Sequence, residues 1–440
     1  MQPRILFLGA TACVLPLLPL AASAAPQAAY ANAWPVSMQA SAAVAAQALT
    51  LEQAVELAIN ANPELRATAQ NVAIADGARE QAGLWRNPEL SVVREGAQRT
   101  DRTQTVQISQ PLELGGKRSA RIAVADLDRS MAITGLTAKT AALRADVTAA
   151  YFEALTAQER VQLAQGSLEL AQKASAAAKR RVTAGKISPV EETKSNVAAA
   201  TARLELVQAN GNLLTTKRRL AALWGYTEEF KQPLVPPTTD LPTLPSLDAL
   251  LSRLDTTPQL QRARQQIQRD EAQVTLERAQ RIPDVAVTLG TKKDYSLGRS
   301  QTIVGLSIPL PLFNRNQGNL LSALRRVDQS KAQFDVERLQ LQQALAEAYQ
   351  RTKVSEEQIV TMRSEVLPAA QSALDAAVTG FELGKFNFLD VLDAQRTLFQ
   401  TRAQYLSALS EHYRSMADIQ RYVVLSDVGQ PVHADGKTNQ

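Results

Sequence analysis

From Lys117 to Ala184 the chain contains no proline, and helix-forming residues dominate the whole stretch. Leu143, Val147, Ala150, Ala154, Ala157, Val161, Ala164, Leu168, Ala171, Ser175, Ala178 and Val182 recur at alternating spacings of four and three, the pattern of a coiled-coil seam. About 68 residues rising 1.5 Å each predict a rod of roughly 100 Å. Gly185-Lys186 ends it, and Pro189 suits the first turn of a returning helix. On that return Val197, Ala200, Leu204, Val207, Gly211 and Leu214 are expected to carry the matching seam. A second pair of long helices is read from about Asn316 to Leu383 and from Phe388 to Val424. It departs from the first at Pro368, where the first half has Glu169, and a kink or local break is expected there.

The chain is written twice. Leu51-Glu52-Gln53-Ala54-Val55, Asn62-Pro63-Glu64-Leu65 and Arg86-Asn87-Pro88-Glu89-Leu90 are answered by Leu247-Asp248-Ala249-Leu250-Leu251, Thr257-Pro258-Gln259-Leu260 and Arg281-Ile282-Pro283-Asp284-Val285. Val106 to Leu112 is answered by Val304 to Leu310, and Ala184 to Ser188 by Leu383 to Asn387. The offset drifts only from 195 to 199, a register that chance similarity between alanine-rich helices does not hold. Two structural repeats are therefore expected, at 49–231 and 247–424, joined by a proline-rich extended connector at 232–246. Each repeat is read as a short and a longer helix, a β-hairpin (89–110; 284–308) and a long helical hairpin (117–224; 316–424). The hairpins rest on period-two alternation, with turns at Gly96 to Arg102 and Thr291 to Arg299.

The N-terminus reads as a secretory signal over 1–24: Arg4, an apolar run from Ile5 to Leu20, and Ala22-Ser23-Ala24 before the cut. The alternative, a single membrane anchor, is opposed by Pro16 and Pro19. Cys13, the only cysteine, lies inside the apolar run and poorly placed for lipidation, so the mature chain is expected to have no disulfide. Segments 25–48 and 425–440 look loosely structured. Aromatics make up only 5% of residues, which argues against a compact globule and suits helices packed at close range. A net charge of +5 without a dense basic block gives no reason to expect nucleic acid. No later segment has the length of an apolar transmembrane helix, so entry into a membrane would be by strands, and four strands cannot close a barrel. Three copies would supply twelve; the alternative is a soluble helical scaffold capped by two hairpins.

Asn87-Pro88-Glu89-Leu90, Gln110-Pro111-Leu112-Glu113-Leu114-Gly115-Gly116-Lys117-Arg118 and Gly384-Lys385 followed by Phe388-Leu389-Asp390-Val391-Leu392-Asp393-Ala394-Gln395 carry a resemblance to a known family. Over about Leu49 to Val424 the chain is similar to the TolC-type outer-membrane factors, most of all to the branch found in cobalt-zinc-cadmium resistance pumps. The resemblance implies a mostly α fold with a small β part. Its helical hairpins would form an α-barrel tunnel through the periplasm, and four strands per chain would join a trimeric twelve-stranded β-barrel in outer-membrane lipid. It implies a homotrimer docked on a periplasmic adaptor and an inner-membrane RND pump, a passive duct for heavy-metal cations with no catalytic activity. A duct for drugs or for type I protein secretion is the alternative, and a periplasmic coiled-coil adaptor is the reading from another class.

The same resemblance places Asp390 and Asp393 at the periplasmic mouth, where three copies would form acidic rings that attract cations. As ordinary first-turn acids favoured by the helix dipole they need no such role. Four residues before Asp390, where the family's prototype carries a base, stands Phe386 with Lys385 beside it, which argues against an ion-pair latch. The tips Gly185-Lys186-Ile187-Ser188 and Gly384-Lys385-Phe386-Asn387 are candidate adaptor contacts, or simple hairpin turns; an exposed Phe386 asks for a cover. Neither a cofactor nor a metal is expected within the chain. Its histidines are His412 and His433 alone, and no nucleophile-His-acid set or phosphate loop is present.

Overall fold

A computed structural model describes residues 48–98, 101–228, 230–236, 244–383, 385–386 and 388–423. The signal-like segment, the tail, Gly384 and Asn387 lie outside the described residues. Nine α-helices and four strands are seen among those described: α1 (Leu51–Ala61), α2 (Pro63–Gly83), β1 (Glu89–Glu95), β2 (Thr103–Leu112), α3 (Lys117–Thr183), α4 (Pro189–Ala222), α5 (Leu247–Ser252), α6 (Pro258–Ala279), β3 (Val285–Asp294), β4 (Arg299–Ser307), α7 (Gln317–Thr361), α8 (Leu367–Glu382) and α9 (Phe388–Tyr422). Helix starts follow local chemistry. Thr50 and Gln53 form a reciprocal capping box at α1, while Asn62, Ser188 and Thr257 each cap a helix that has proline in its first turn.

The α3 seam is where the spacing puts it. Leu143, Val147, Ala150, Ala154, Ala157, Ala171 and Ala178 are buried, and the intervening seam positions are half-buried. On α4 the expected phase is wrong. Val197 and Leu204 are 60% and 70% exposed, whereas Ser195, Ala202, Thr216 and Leu220 are buried and Ala199, Leu206, Ala209 and Leu213 half-buried. That is an unbroken heptad seam two residues out of phase with the expected one. The sequence carries two stripes on α4, and the one with smaller residues faces α3, because close helix approach favours small side chains.

The two hairpins are one sheet. β1, β2, β3 and β4 pair antiparallel in that order, and β3 continues through Asp294, a stretch expected to be turn. Register explains the alternation. Leu90, Ile108, Leu289 and Val304 stand in one row across all four strands, with Val92, Val106, Thr291 and Thr302 in the next row on the same face. The opposite face carries Ser91, Gln107, Gly290 and Ile303, then Val93, Thr105, Lys292 and Gln301. One face is apolar and the other mostly polar, the division a membrane strand requires. No helix among the described residues is long and apolar enough to cross a membrane.

The motif at 110–118 staples sheet to helices. Gln110 donates to the Arg86 carbonyl (3.0 Å), Arg118 to that of Gly83 (2.6 Å), and Lys117 pairs with Asp284 at 2.5 Å. Glu113 sits with its side chain almost covered between Arg121 and Arg86. The hydrogen bond and charge of Arg121, with Arg86 behind, hold its carboxyl below the usual range despite burial. Gly115 has φ +72°, and a Cβ there would stand 2.6 Å from Ile282, so only glycine fits.

The start of the connector, up to 236, is less free than its prolines imply, and 237–243 lie outside the described residues. Leu234 is buried and bridges in parallel to Leu49, and the wholly buried Tyr151 hydroxyl lies 2.8 Å from the Leu49 carbonyl and 2.7 Å from that of Val235. Burial pushes that phenol up to about 12. Pro368 breaks the α pattern without ending the helix. A π-turn over Met362–Val366 takes up the lost backbone bond, and α8 opens with the proline in its first turn. Between α7 and α9 lies a buried polar layer. Thr352 Oγ1 donates to Ser415 Oγ (2.8 Å), and Ser355 Oγ meets His412 Nδ1 at 3.4 Å.

Burial pushes the His412 imidazole below its ordinary 6.5, with the Thr352 backbone and Glu356 opposing and Lys353 adding to the effect. The folded state therefore binds this proton less readily than the unfolded chain. Stability from His412 should be complete above about pH 6.5, fall as the pH drops through that value, and level off below the folded pKa. Thermal unfolding at a series of pH values, compared with His412→Gln, should show the wild-type loss blunted in the variant over that window.

Candidate functional site

The two hairpin tips are built alike from the backbone up. At the first, Gly185 adopts φ +67°, the Lys186 N–H reaches the Arg181 carbonyl (2.9 Å), and the Gly185 N–H reaches that of Val182 (2.9 Å), a Schellman closure. Ser188 then caps α4, accepting from the Val190 N–H at 3.3 Å. At the second, the N–H groups of Lys385 and Phe386 both reach the Gly380 carbonyl, at 2.8 and 3.2 Å. Phe386 is 50% exposed, because its ring folds back over Gly380, where an added Cβ would run into it. The cover expected for this aromatic is thus partly supplied by α8 of its own hairpin. Lys186 and Ser188 are exposed and Ile187 is half-buried.

A contact across the two tips escapes sequence reading altogether. The Arg181 guanidinium lies 3.9 Å from the centre of the Phe381 ring and donates to the Phe381 carbonyl at 3.3 Å. It joins the first hairpin to the second just above both turns. Each residue alone is an ordinary helix-end side chain, and no local spacing marks a pair two hundred positions apart. Below the π-turn the second hairpin buries Ala370, Leu374, Ala377, Val391 and Leu398, with Leu170 of α3 packed against them.

Asp390 and Asp393 are both exposed and lie one turn apart at the start of α9, so they share a face of that helix. Beside them on α9, Gln395 is 5% exposed; its amide donates to the Ser167 carbonyl at 3.3 Å, while its Oε1 has no partner among the described residues. It borders a groove of about 680 Å³ between α3, α4 and α9, edged by Arg160, Lys194, Glu205 and Arg396 with Val197 and Phe399. Among the described residues no three His, Cys, Asp or Glu side chains gather as a metal site.

The family model described as outer membrane efflux protein matches residues 54–226 and 250–423. The chain is 42% identical over 377 residues to the cobalt-zinc-cadmium resistance protein CzcC of Cupriavidus metallidurans, covering 86% of this chain and 90% of that one. It is 30% identical over 313 residues to the nickel-cobalt-cadmium resistance protein NccC of Alcaligenes xylosoxydans xylosoxydans, covering 70% and 69%. The solved open state of the MtrE outer membrane channel of Neisseria gonorrhoeae shares the fold, with a TM-score of 0.71 over 84% of this chain and 88% of that one at 20% identity.

Arg181→Ala should loosen the second tip. Hydrogen exchange at the Lys385 and Phe386 amides is expected to speed up several-fold, for loss of a contact worth about 1 kcal/mol, while the Lys186 amide, closed within its own hairpin, stays as it was.

Proposed function

The chain belongs to the outer membrane efflux protein family, and from that premise we propose that it is one protomer of a trimeric duct for heavy-metal cations, working with a periplasmic adaptor and an inner-membrane RND pump. The observation that carries the reading is the sheet. Its four strands have one apolar face and two unpaired edges, β1 and β4, on a body of long helices. Open edges are not tolerated in lipid, and three copies supply twelve strands that close on themselves. The metal cargo rests on the names of the relatives, CzcC and NccC.

In this reading α4 and α7 are the flanks through which helical layers of neighbouring copies meet. Each presents large apolar side chains to solvent in the single chain: Val190, Val197, Leu204 and Val207 on α4, and Val336, Leu339, Val354 and Val360 on α7. Covering these stripes in a ring gives the second seam of α4 a purpose that the first does not need. The tips at 185–188 and 384–387 face the adaptor, and the groove beside Gln395 continues that surface. Asp390 and Asp393 ring the mouth, six carboxylates around one axis. The duct itself performs no chemistry; the pump selects and drives the cargo.

Two experiments test the parts separately. Native mass spectrometry of detergent-solubilised outer membrane should find a trimer. Ala202→Glu, which buries an unpaired charge inside the chain, should cost on the order of 3 kcal/mol of fold stability, whereas Leu204→Glu should leave the protomer folded and weaken the trimer. A stable monomer would overturn the reading. Changing Asp390 and Asp393 together to Ala should lower cation preference in planar-bilayer conductance with the trimer intact. That loss should shrink in high salt, since the screening length falls from about 10 Å at 0.1 M to about 3 Å at 1 M. An unchanged reversal potential would return both aspartates to a helix-start role.

A further inference from the structure

β2 and β4 begin the same way and end differently. Ser109-Gln110-Pro111-Leu112 and Ser307-Ile308-Pro309-Leu310 correspond, yet β2 runs to Leu112 while β4 stops at Ser307. The difference has a physical cause. β2 has a strand on each side and pairs with β3 as far as Leu112 opposite Val285, whereas β4 pairs with β3 only, to Ser307 opposite Ala286, and its outer side has no strand among the described residues. The residues that would continue β4 are left in solvent, with Leu310 75% exposed. Where the inner junction carries the Lys117–Asp284 ion pair, the corresponding positions are Arg315, from Leu-x-Leu-x-x-Lys and Leu-x-Leu-x-x-Arg, and Glu89, from Pro-Asp-Val and Pro-Glu-Leu. The charges are the same in sign at each place. Arg315 and Glu89 are both exposed, and neither has an ion-pair partner among the described residues; the Arg315 Nε donates to the Pro311 carbonyl at 3.3 Å. Arg315 stands just before its helix and Lys117 just inside its own, an offset a long guanidinium side chain can span.

We propose that the seam between neighbouring copies repeats the β2–β3 seam inside the chain. β4 extends to Leu310 against β1 of the next copy, with Leu310 opposite its Leu90, Ile308 opposite its Val92 and Leu306 opposite its Arg94. Arg315 then pairs with Glu89 of that copy as Lys117 pairs with Asp284. The inference rests on the trimeric reading above and adds the register. Direction agrees: β4 and β1 run opposite ways in the sheet, so the exit of one and the entry of the other share the helical end. Face agrees too. Leu306, Leu90 and Val92 lie on the same face of the sheet, and Ile308 and Leu310 follow Leu306 at alternate positions, so this register keeps that face continuous and sets Leu310 and Ile308 against apolar partners; a slip of one residue would set Leu310 against Ser91 of the polar face. The exposed ion pair adds little raw stability and serves to exclude slipped registers.

The test uses full-length protein carrying Cys13→Ser, so that no native thiol is present. Leu310→Cys with Leu90→Cys brings two sulfurs within disulfide reach across the seam, and Leu310→Cys with Ser91→Cys points them to opposite faces. After mild oxidation, the first pair should give covalently joined rings on a non-reducing denaturing gel and the second should give none. Native mass spectrometry on the same samples reads oligomeric state independently. A trimer that fails to link through 310 and 90, or links through 310 and 91, overturns the register and leaves the trimeric reading standing; a particle that is not a trimer overturns both. For the charges, Glu89→Arg and Arg315→Glu should each lower the temperature at which the trimer dissociates, and the two together should restore it. A double variant as weak as the sum of the singles overturns the ion pair.

Discussion

Close approach along an alanine seam is the constraint on which the rest of the structure depends. α3 packs against α1, α2 and α4 of the first repeat and against α6 and α9 of the second. It can serve so many neighbours only because its contact positions are small, so that backbones approach without side chains competing for the same space. The larger side chains on this helix, Tyr151, Phe152 and Leu155, are gathered near its middle, where α1 and the start of the connector complete a thicker core. There Tyr151 fixes the chain on both sides of the first repeat, at Leu49 and at Val235. The wall is therefore shared. The first repeat has its core on this one helix, while the second adds a cluster of its own around Leu250, Leu345 and Ile419.

Much of this was legible, for definite reasons. A stretch without proline bounded by glycine fixes a long helix, and matched landmarks in two halves fix the order of elements. The phase of α4 was not, because the helix bears two apolar stripes and periodicity measures their strength, not their destination. Val197 and Leu204 are the more hydrophobic, yet Ala199 and Ala202 are the ones that meet α3. A similar limit applies at the tips. Arg181 and Phe381 meet through tertiary geometry, and the fold of Phe386 onto Gly380 depends on a missing Cβ whose benefit appears only in three dimensions. Pro368 was read correctly as a disturbance, but its form as a π-turn depends on packing on both sides of it.

The molecule addresses two solvents with two kinds of surface. The helices bury small residues among themselves, while the sheet puts whole rows of branched side chains outward, which would be a liability in water. Between these regions lies the junction at 110–118, where ionic contacts and left-handed glycines turn the chain from strand to helix within a few residues. Charges are well placed there: Lys117 and Glu113 are largely covered and paired, so they set an angle between elements more firmly than an apolar contact could.

The polar layer between α7 and α9 has a geometric consequence. Thr352 with Ser415 and Ser355 with His412 act as index marks on two long rods. Sliding one rod past the other by a helical turn, about 5.4 Å, would keep at most one polar pair, Ser355 facing Ser415 or Thr352 facing His412, and take the other two groups away from each other. Bending costs less, because the π-turn below departs from the regular helical bonding pattern. The second hairpin is thus graduated in length and hinged in angle, with Arg181 on Phe381 and Gln395 on Ser167 setting how far its end turns from the first.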